Sequence, residues 1–435
     1  MEQLLKPLQF MLKMHQNYPI YHNAILFSCS EEKSVNEPRE TVEQFKTAQQ
    51  VLPEIMRGIN IGNTLEPPTE GGWNNGPLEE YYFDDYKAAG FTCVRVPVRW
   101  EEHTQEQAPY AVDESWMQRV EQVVDWGLER DLYIIINAHH DWWLVNNYAQ
   151  ETVRDRFKSI WTQVAERFKD KSPRLMFEVI NEPKGLTQAE INELNNEIIS
   201  IIRANNPQRI IIFGGHEWAG APQLLTVDVP NDDYVIGYFH TYDPWNFAGE
   251  GNGVWGSQDD VAAIRNVFES VAAWSLANNV PAMISEFGAV TACDYNSRMF
   301  FYSVYVEQAL RNNIAFQAWD DGGNFGIYER DDRKWPEVKD ILIGTYTDGP
   351  TTLQALNRAN SSIGLTWQNR SSNQSSIRIE RKDGAGEFTS IAVIAGDATE
   401  YIDEALAAGT YVYRVVDEQS SGVEKYSYPV MIERI

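Results

Sequence analysis

The chain has 435 residues, 36 basic against 63 acidic, for a formal charge of −27. Its composition, 43% hydrophobic and 23% charged, supplies a sizeable core, and its length suits one large domain plus a small one. So acidic a surface repels phosphate backbones and anionic lipid, which argues against nucleic acid and direct membrane binding and for a neutral substrate.

Residues 1–41 read as a leader and linker. Leu26-Phe27-Ser28-Cys29 before a charged stretch resembles a bacterial lipoprotein signal, which would leave Cys29 as a lipidated first residue and the protein at the cell surface or outside it. Tyr18, Pro19, His22 and Asn23 interrupt the apolar segment such a signal needs, so a plain disordered leader is the alternative. No run approaches the ~20 apolar residues of a membrane span.

From residue 42 short apolar runs alternate with amphipathic stretches. The predicted strands are 57–63, 92–100, 133–140, 175–181, 209–215, 235–242, 281–287 and 315–319. Between them, Trp116, Val120, Val123 and Gly127 share one helical face, as do Leu194, Ile198, Ile201 and Ile202. Eight strands alternating with helices read as a (β/α)8 TIM barrel over 42–346, whose functional residues belong at the C-terminal strand ends. Those ends carry Asn63 and Glu66; Trp100; His139, His140 and Asp141; Asn181 and Glu182; His216 and Trp218; His240, Tyr242 and Trp245; Glu286; and Trp319.

Past Gly349 the pattern becomes short alternating strands between Gly, Ser and Asn turns, a small all-β sandwich over 347–435 resembling a fibronectin type III or immunoglobulin module. Trp367, Tyr401 and Tyr426 are its exposed-aromatic candidates, though a spacer role is preferred to glycan binding. The 14 tryptophans suit sugar faces, but Trp116, Trp126, Trp161 and Trp274 sit in helical segments and read as core.

Glu182 and Glu286, at the ends of strands four and seven, can face each other across the barrel mouth. Two such carboxyls in an aromatic groove suit glycosidic cleavage, one giving a proton to the leaving oxygen and the other acting ionised. Arg95 is the candidate to keep Glu286 ionised, with His240 and Tyr242 as further donors. Glu178, mid-strand, must be buried and paired. No metal or cofactor is expected: His139 and His140, adjacent in a strand, should point to opposite faces. Cys93 reads as a small buried hydrophobe, and its pairing with Cys293 is open.

The segments RGINIGNTLEPP, VRVPVRW, NAHHD, FEVINEP, FHTYDPW, ISEFG and QAWDDGG, in this order, resemble glycoside hydrolase family 5. The resemblance implies retention by double displacement, with Glu182 as acid/base and Glu286 as nucleophile. It implies that Asn181 binds the sugar 2-hydroxyl and that Arg95, His139, His240 and Tyr242 orient nucleophile and sugar. Trp319 would floor the subsite next to cleavage, and Asn63 and Glu66 would meet a sugar further out. The expected partner is a β-glucan or cellulose chain and the expected form a monomer. Endo-β-1,4-glucanase is the leading reading. β-Mannanase, xyloglucanase and a non-catalytic glycan-binding surface protein are the alternatives.

Overall fold

The structure, a computed structural model, describes residues 43–371 and 374–434. The expected Cys29 signal lies outside them. Eight parallel strands close a barrel in sequence order: β1 Arg57–Asn60, β2 Cys93–Val96, β3 Tyr133–Asn137, β4 Leu175–Glu178, β5 Ile211–Gly214, β6 Val235–His240, β7 Ala282–Phe287 and β8 Ala315–Ala318. Helices α1 Ala48–Val51, α2 Tyr81–Ala89, α3 Glu114–Leu128, α4 Trp142–Val145, α5 Glu151–Arg167, α6 Gln188–Arg203, α7 Ala221–Leu224, α8 Trp245–Ala248, α9 Gln258–Asn278, α10 Tyr295–Arg311 and α11 Val338–Gly344 connect or flank them.

The helical faces read from the sequence are the buried ones. Trp116, Val120, Val123 and Gly127 of α3 are buried, as are Leu194, Ile198 and Ile202 of α6, while Ile201 is half-buried against the same core. A capping box starts α6: Thr187 accepts from the Glu190 N–H, and Glu190 accepts from the Thr187 backbone. Trp116, Trp161 and Trp274 are core residues and Trp126 packs against that core. Inside the floor of the barrel, Ala48, Val51 and Leu52 join Cys93, Ile135 and Met176 in a separate apolar cluster. Cys93 and Cys293 are both free and buried, which closes the question of their pairing.

Every barrel strand but β7 stops one to four residues short of its predicted C-terminal end, because the backbone leaves the ladder to form the rim. After β4, pairing continues through Val179 N–H to Ile212 and Asn181 N–H to Ala138. It then ceases at Glu182, whose φ is 37°. Asn63 and His140 turn with φ of 57° and 61°. Non-glycine residues in this left-handed region cost free energy, and these three stand just past the C-terminal ends of β1, β3 and β4.

Two antiparallel sheets follow. One is ordered β13-β10-β9 (β9 Thr351–Arg358, β10 Ser362–Gln368, β13 Glu400–Asp403). The other is β12-β11-β14-β15, with β16 also on β14 (β11 Gln374–Asp383, β12 Thr389–Ala395, β14 Gly409–Gln419, β15 Glu424–Tyr426, β16 Val430–Arg434). Their core includes Ile363, Leu365, Trp367, Ile377, Tyr413 and Val415. Trp367 is therefore not an exposed aromatic, as expected from sequence: it is 4% exposed, between the sheets. Tyr401 and Tyr426 are half-buried.

The sheets pack on α10 and α11. Asn296 donates to the Met431 carbonyl at 2.9 Å and accepts from its N–H at 2.7 Å. The Tyr428 ring lies 5.1 Å from Phe300 and belongs to the barrel's own apolar core. Lys425 pairs with Asp348 at 2.6 Å, and Arg414 bridges Asp340 and Glu380.

Candidate active site

The mouth of the barrel is organised around a buried cation. Arg95, on β2, is fully buried and spends every guanidinium edge on β1, β4, β7 or the rim residue Asn181 just past β4. It binds Glu178 through Nε at 2.8 Å and Nη2 at 2.6 Å, and Glu286 through Nη1 at 2.6 Å. Nη1 also donates to Asn60 at 2.9 Å and Nη2 to Asn181 at 2.8 Å. Burial alone would lower its pKa, but Glu178 and Glu286 outweigh that and raise it, so it stays a cation. The buried, paired Glu178 is as the sequence demanded.

Glu286 accepts from Arg95 on Oε1 and from the Tyr242 hydroxyl on Oε2 at 3.0 Å. Burial pushes its carboxyl up. His240 and Arg95 oppose that rise, and Glu182 adds to it. The pair of donors, one on each oxygen, is the complement of an ionised carboxylate. Burial pushes Tyr242 well above its ordinary value, so its hydroxyl remains a donor.

Glu182 sits differently. Its side chain keeps 23% of its area exposed and takes one hydrogen bond, from His240 Nδ1 at 3.0 Å. Burial raises its pKa to about 7; Arg95 opposes this and Glu178 adds to it. His240 is itself pushed down to about 4 by burial, so it is neutral near pH 7. Nδ1 faces Glu182 and, at 3.6 Å, Glu286, while Nε2 meets the Ser285 hydroxyl at 2.9 Å. Carboxylates accept, so the Nδ1–H tautomer with Ser285 donating to Nε2 satisfies every group.

A second arm runs from Glu178 through Asn137. The Asn137 amide donates to Glu178 at 2.9 Å and meets His139 Nδ1 at 3.2 Å. Its oxygen accepts from the Val98 N–H, which fixes the amide's orientation. Nδ1 of His139 is therefore the acceptor and its Nε2 carries the proton. Burial keeps this imidazole neutral. The His139 ring lies near-parallel to Trp319 at 6.2 Å. The two neighbouring histidines do not point to opposite faces, as expected of a strand. His140, turned at positive φ, brings its ring to 4.5 Å from His139 and 5.4 Å from Trp73.

Glu66 corrects the sequence reading. It is fully buried, and its carboxylate accepts from the Asn63 and Thr64 backbone N–H groups, so it shapes the turn that carries Asn63 instead of facing a sugar. Burial raises it to about 7, against those hydrogen bonds. Asn63 stays at the rim, donating to Asn74 at 2.7 Å.

Sequence reasoning missed Asn60, Asn137 and Ser285, which hold Arg95, His139 and His240. The first two are polar residues inside apolar strands, the signal that had picked out Glu178. Four indoles stand bare around the mouth: Trp73, Trp142, Trp218 and Trp245, each at least 40% exposed. Among the described residues, Glu182, His240 and Glu286 also bring ligand-type atoms within 4.8 Å of one another, a spacing a metal ion would need. Arg95 already supplies the positive charge there and occupies Glu286 Oε1. No described helix is long and apolar enough to cross a membrane.

Residues 34–324 match the family model for cellulase, glycosyl hydrolase family 5. The chain belongs to glycoside hydrolase family 5. Endoglucanase H of Acetivibrio thermocellus is 44% identical over 307 residues, 68% of this chain and 34% of that protein. Cellulase/esterase CelE of the same organism is 33% identical over 327 residues, covering 40% of its length, so the chain spans well under half of these two relatives. Endoglucanase B of Clostridium cellulovorans is 33% identical over 333 residues, 75% of its length. Among solved structures, a tri-modular family 5 (subfamily 4) endo-β-1,4-glucanase from Bacillus licheniformis matches with a TM-score of 0.75 and 29% identity over 88% of this chain and 79% of that one. The barrel alone could not supply that coverage, so the likeness extends into the C-terminal sheets. Cel5A of Thermotoga maritima, solved with mannotriose, matches with a TM-score of 0.66 and 33% identity over 68% of this chain.

Proposed function

We propose that the protein is a retaining endo-β-1,4-glucanase. The observation that carries this reading is the pair Glu182 and Glu286, with carboxylate oxygens within 4.8 Å across His240 and with opposite surroundings. A retaining enzyme needs carboxyls about 5–5.5 Å apart, whereas inversion needs roughly 6.5–9.5 Å to admit a water. Glu286, held by Arg95 and Tyr242, attacks the anomeric carbon. Glu182, kept protonated near neutral pH by burial, gives its proton to the leaving oxygen. A glycosyl ester on Glu286 results. Glu182, now ionised, then takes a proton from water as the water breaks that ester.

Asn181, anchored through Oδ1 on Arg95, has its amide N–H free for the 2-hydroxyl; the Nε2–H of His139 is a further donor to the sugar. Trp319 floors the subsite beside the scissile bond and Asn63 lies further out. Residues 42–346 form the catalytic module and 347–435 a packed accessory module. The endoglucanase names of the relatives favour a glucan, and the endo-β-1,4-glucanase from Bacillus licheniformis favours the β-1,4 linkage. The mannotriose complex of a structural neighbour favours β-mannan as the second substrate. A polymeric substrate suits a protein exported from the cell, and the Leu26–Cys29 motif supports anchoring through lipid on Cys29. Reducing ends released from carboxymethylcellulose, barley β-glucan, xyloglucan and mannan test the reading. Fastest release from the two glucans is expected, and release from none of the four would refute it.

A further inference from the structure

A second buried arginine ties down the chain around Trp319. Arg330, in the loop from β8 to α11, is buried and aims its guanidinium back at the rim. Nη1 donates to the Gly62 carbonyl at 3.0 Å. Nη2 donates to the Asp320 carbonyl at 3.0 Å and to Asp320 Oδ2 at 3.2 Å. The Gly62 N–H also donates to the Asp320 carbonyl, at 2.8 Å. Gly62, just past β1, is thus fastened at its N–H and its C=O to the residue that follows Trp319. Asp320 is itself fixed: it is fully buried, and its Oδ1 accepts from the Gly322 and Ile327 N–H groups. On α2, the Tyr81 hydroxyl donates to the Arg330 carbonyl at 3.2 Å, and the Tyr82 ring lies 5.7 Å from the guanidinium. Burial opposes the charge of Arg330, but Asp320 outweighs it, so the side chain stays a cation. The indole rests against Gly62. A Cβ there would lie 2.8 Å from Trp319 Cζ2 and 2.9 Å from Cη2, closer than real contacts allow. Only glycine lets backbone and ring touch, so the place of Gly62 sets the place of the ring.

We propose that Arg330 is a positioning residue for Trp319, acting through the Gly62 backbone and Asp320 to hold the indole at the height the sugar needs. The inference rests on the reading of Trp319 as the floor of the subsite beside the scissile bond. Arg330 touches no sugar. Its planar fork holds two carbonyls and a carboxylate at fixed angles, which the point charge of a lysine does not reproduce.

The test is a double-mutant cycle in the whole chain, read as kcat/KM on barley β-glucan. Active sites are counted by the dinitrophenol burst from a 2-deoxy-2-fluoro-β-cellobioside, so the value does not depend on how much of a variant folds. Arg330→Met should lower kcat/KM about 10- to 100-fold, the scale of a misplaced binding group, and Arg330→Lys should recover part of the loss. Gly62→Ala, which displaces the ring directly, should lose a similar factor with Arg330 intact. In a Trp319→Ala background, Arg330→Met should cost nothing further, because the ring it places is gone. A merely structural arginine would cost the same factor with and without the indole, and that result would overturn the assignment. Wild-type kcat/KM in Arg330→Met or in Gly62→Ala would overturn it as well. Should Arg330→Met give no burst, Arg330→Lys takes its place in the cycle. Wild-type kcat/KM in Trp319→Ala would overturn the reading of Trp319 itself, and this inference with it.

Discussion

Glu178 grips Arg95 with two hydrogen bonds, 2.6 and 2.8 Å, between side chains that are both fully buried. Glu178 does not reach the cleft, yet it fixes the cation that holds Glu286, and through Asn137 it fixes His139. Glu178→Ala leaves Arg95 buried without two of its five hydrogen bonds and one of its two carboxylate partners. Breaking a buried pair from one side costs about 3–5 kcal/mol. Urea unfolding should show a loss of that order, and kcat should fall along with it. A variant with the wild-type midpoint would mean that the pair is not what organises the site.

Glu182→Gln should slow cleavage of natural glucans by about 10²–10⁴-fold, the usual worth of a general acid. An aryl glycoside with a good leaving group needs little protonation, so its glycosylation step should suffer far less. Equal losses on both substrates would show that Glu182 is not the proton donor.

The raised pKa of Glu182 makes a signed prediction. Its ordinary value is 4.5, and burial takes it to about 7 in the folded chain. Between those values the folded state binds more protons than the unfolded state, so the protonated group's contribution to stability is lost as pH rises through about 7. Glu182→Gln removes this dependence. Its melting temperature should gain on wild type as pH is raised from 4.5 to 8, and a difference that stays flat with pH would refute the assignment. In the wild type, kcat/KM on β-glucan should decline above about pH 7 as the acid loses its proton.

The β-sandwich should be a stabilising element with no part in the chemistry. Tyr428 packs on Phe300 within the barrel's core, and Asn296 clasps Met431. Tyr428→Ala in the whole chain should cost on the order of 3 kcal/mol, as large buried aromatics do. Turnover per titrated active site on soluble β-glucan should be unchanged. An unaltered thermal midpoint would show that the modules do not support each other.

The sequence was most legible where periodicity and chemistry coincide. The apolar runs located all eight barrel strands, and the polar residues ending them included Glu182, Glu286, His240 and Tyr242. Strand ends were overrun because rim residues such as Asn181 keep ladder hydrogen bonds while no longer counting as strand. The Leu, Gln, Ala and Arg content of β9 favours a helix, and only pairing with β10 makes it extended. Ser427–Pro429 separates β15 from β16. Glu66 misled because a carboxyl near a strand end looks alike whether it faces the cleft or folds back onto its own backbone. That choice is made by the turn at Asn63, which periodicity does not report.

The central claim is that Glu286 becomes covalently bonded to the sugar, and trapping that ester tests it most directly. A 2-deoxy-2-fluoro-β-cellobioside with a dinitrophenyl leaving group slows breakdown of the intermediate more than its formation. Intact-mass measurement should show one added fluorocellobiosyl group per chain, and peptide mapping should place it on Glu286. No added mass while dinitrophenol is released, or a label on any other residue, would contradict the account.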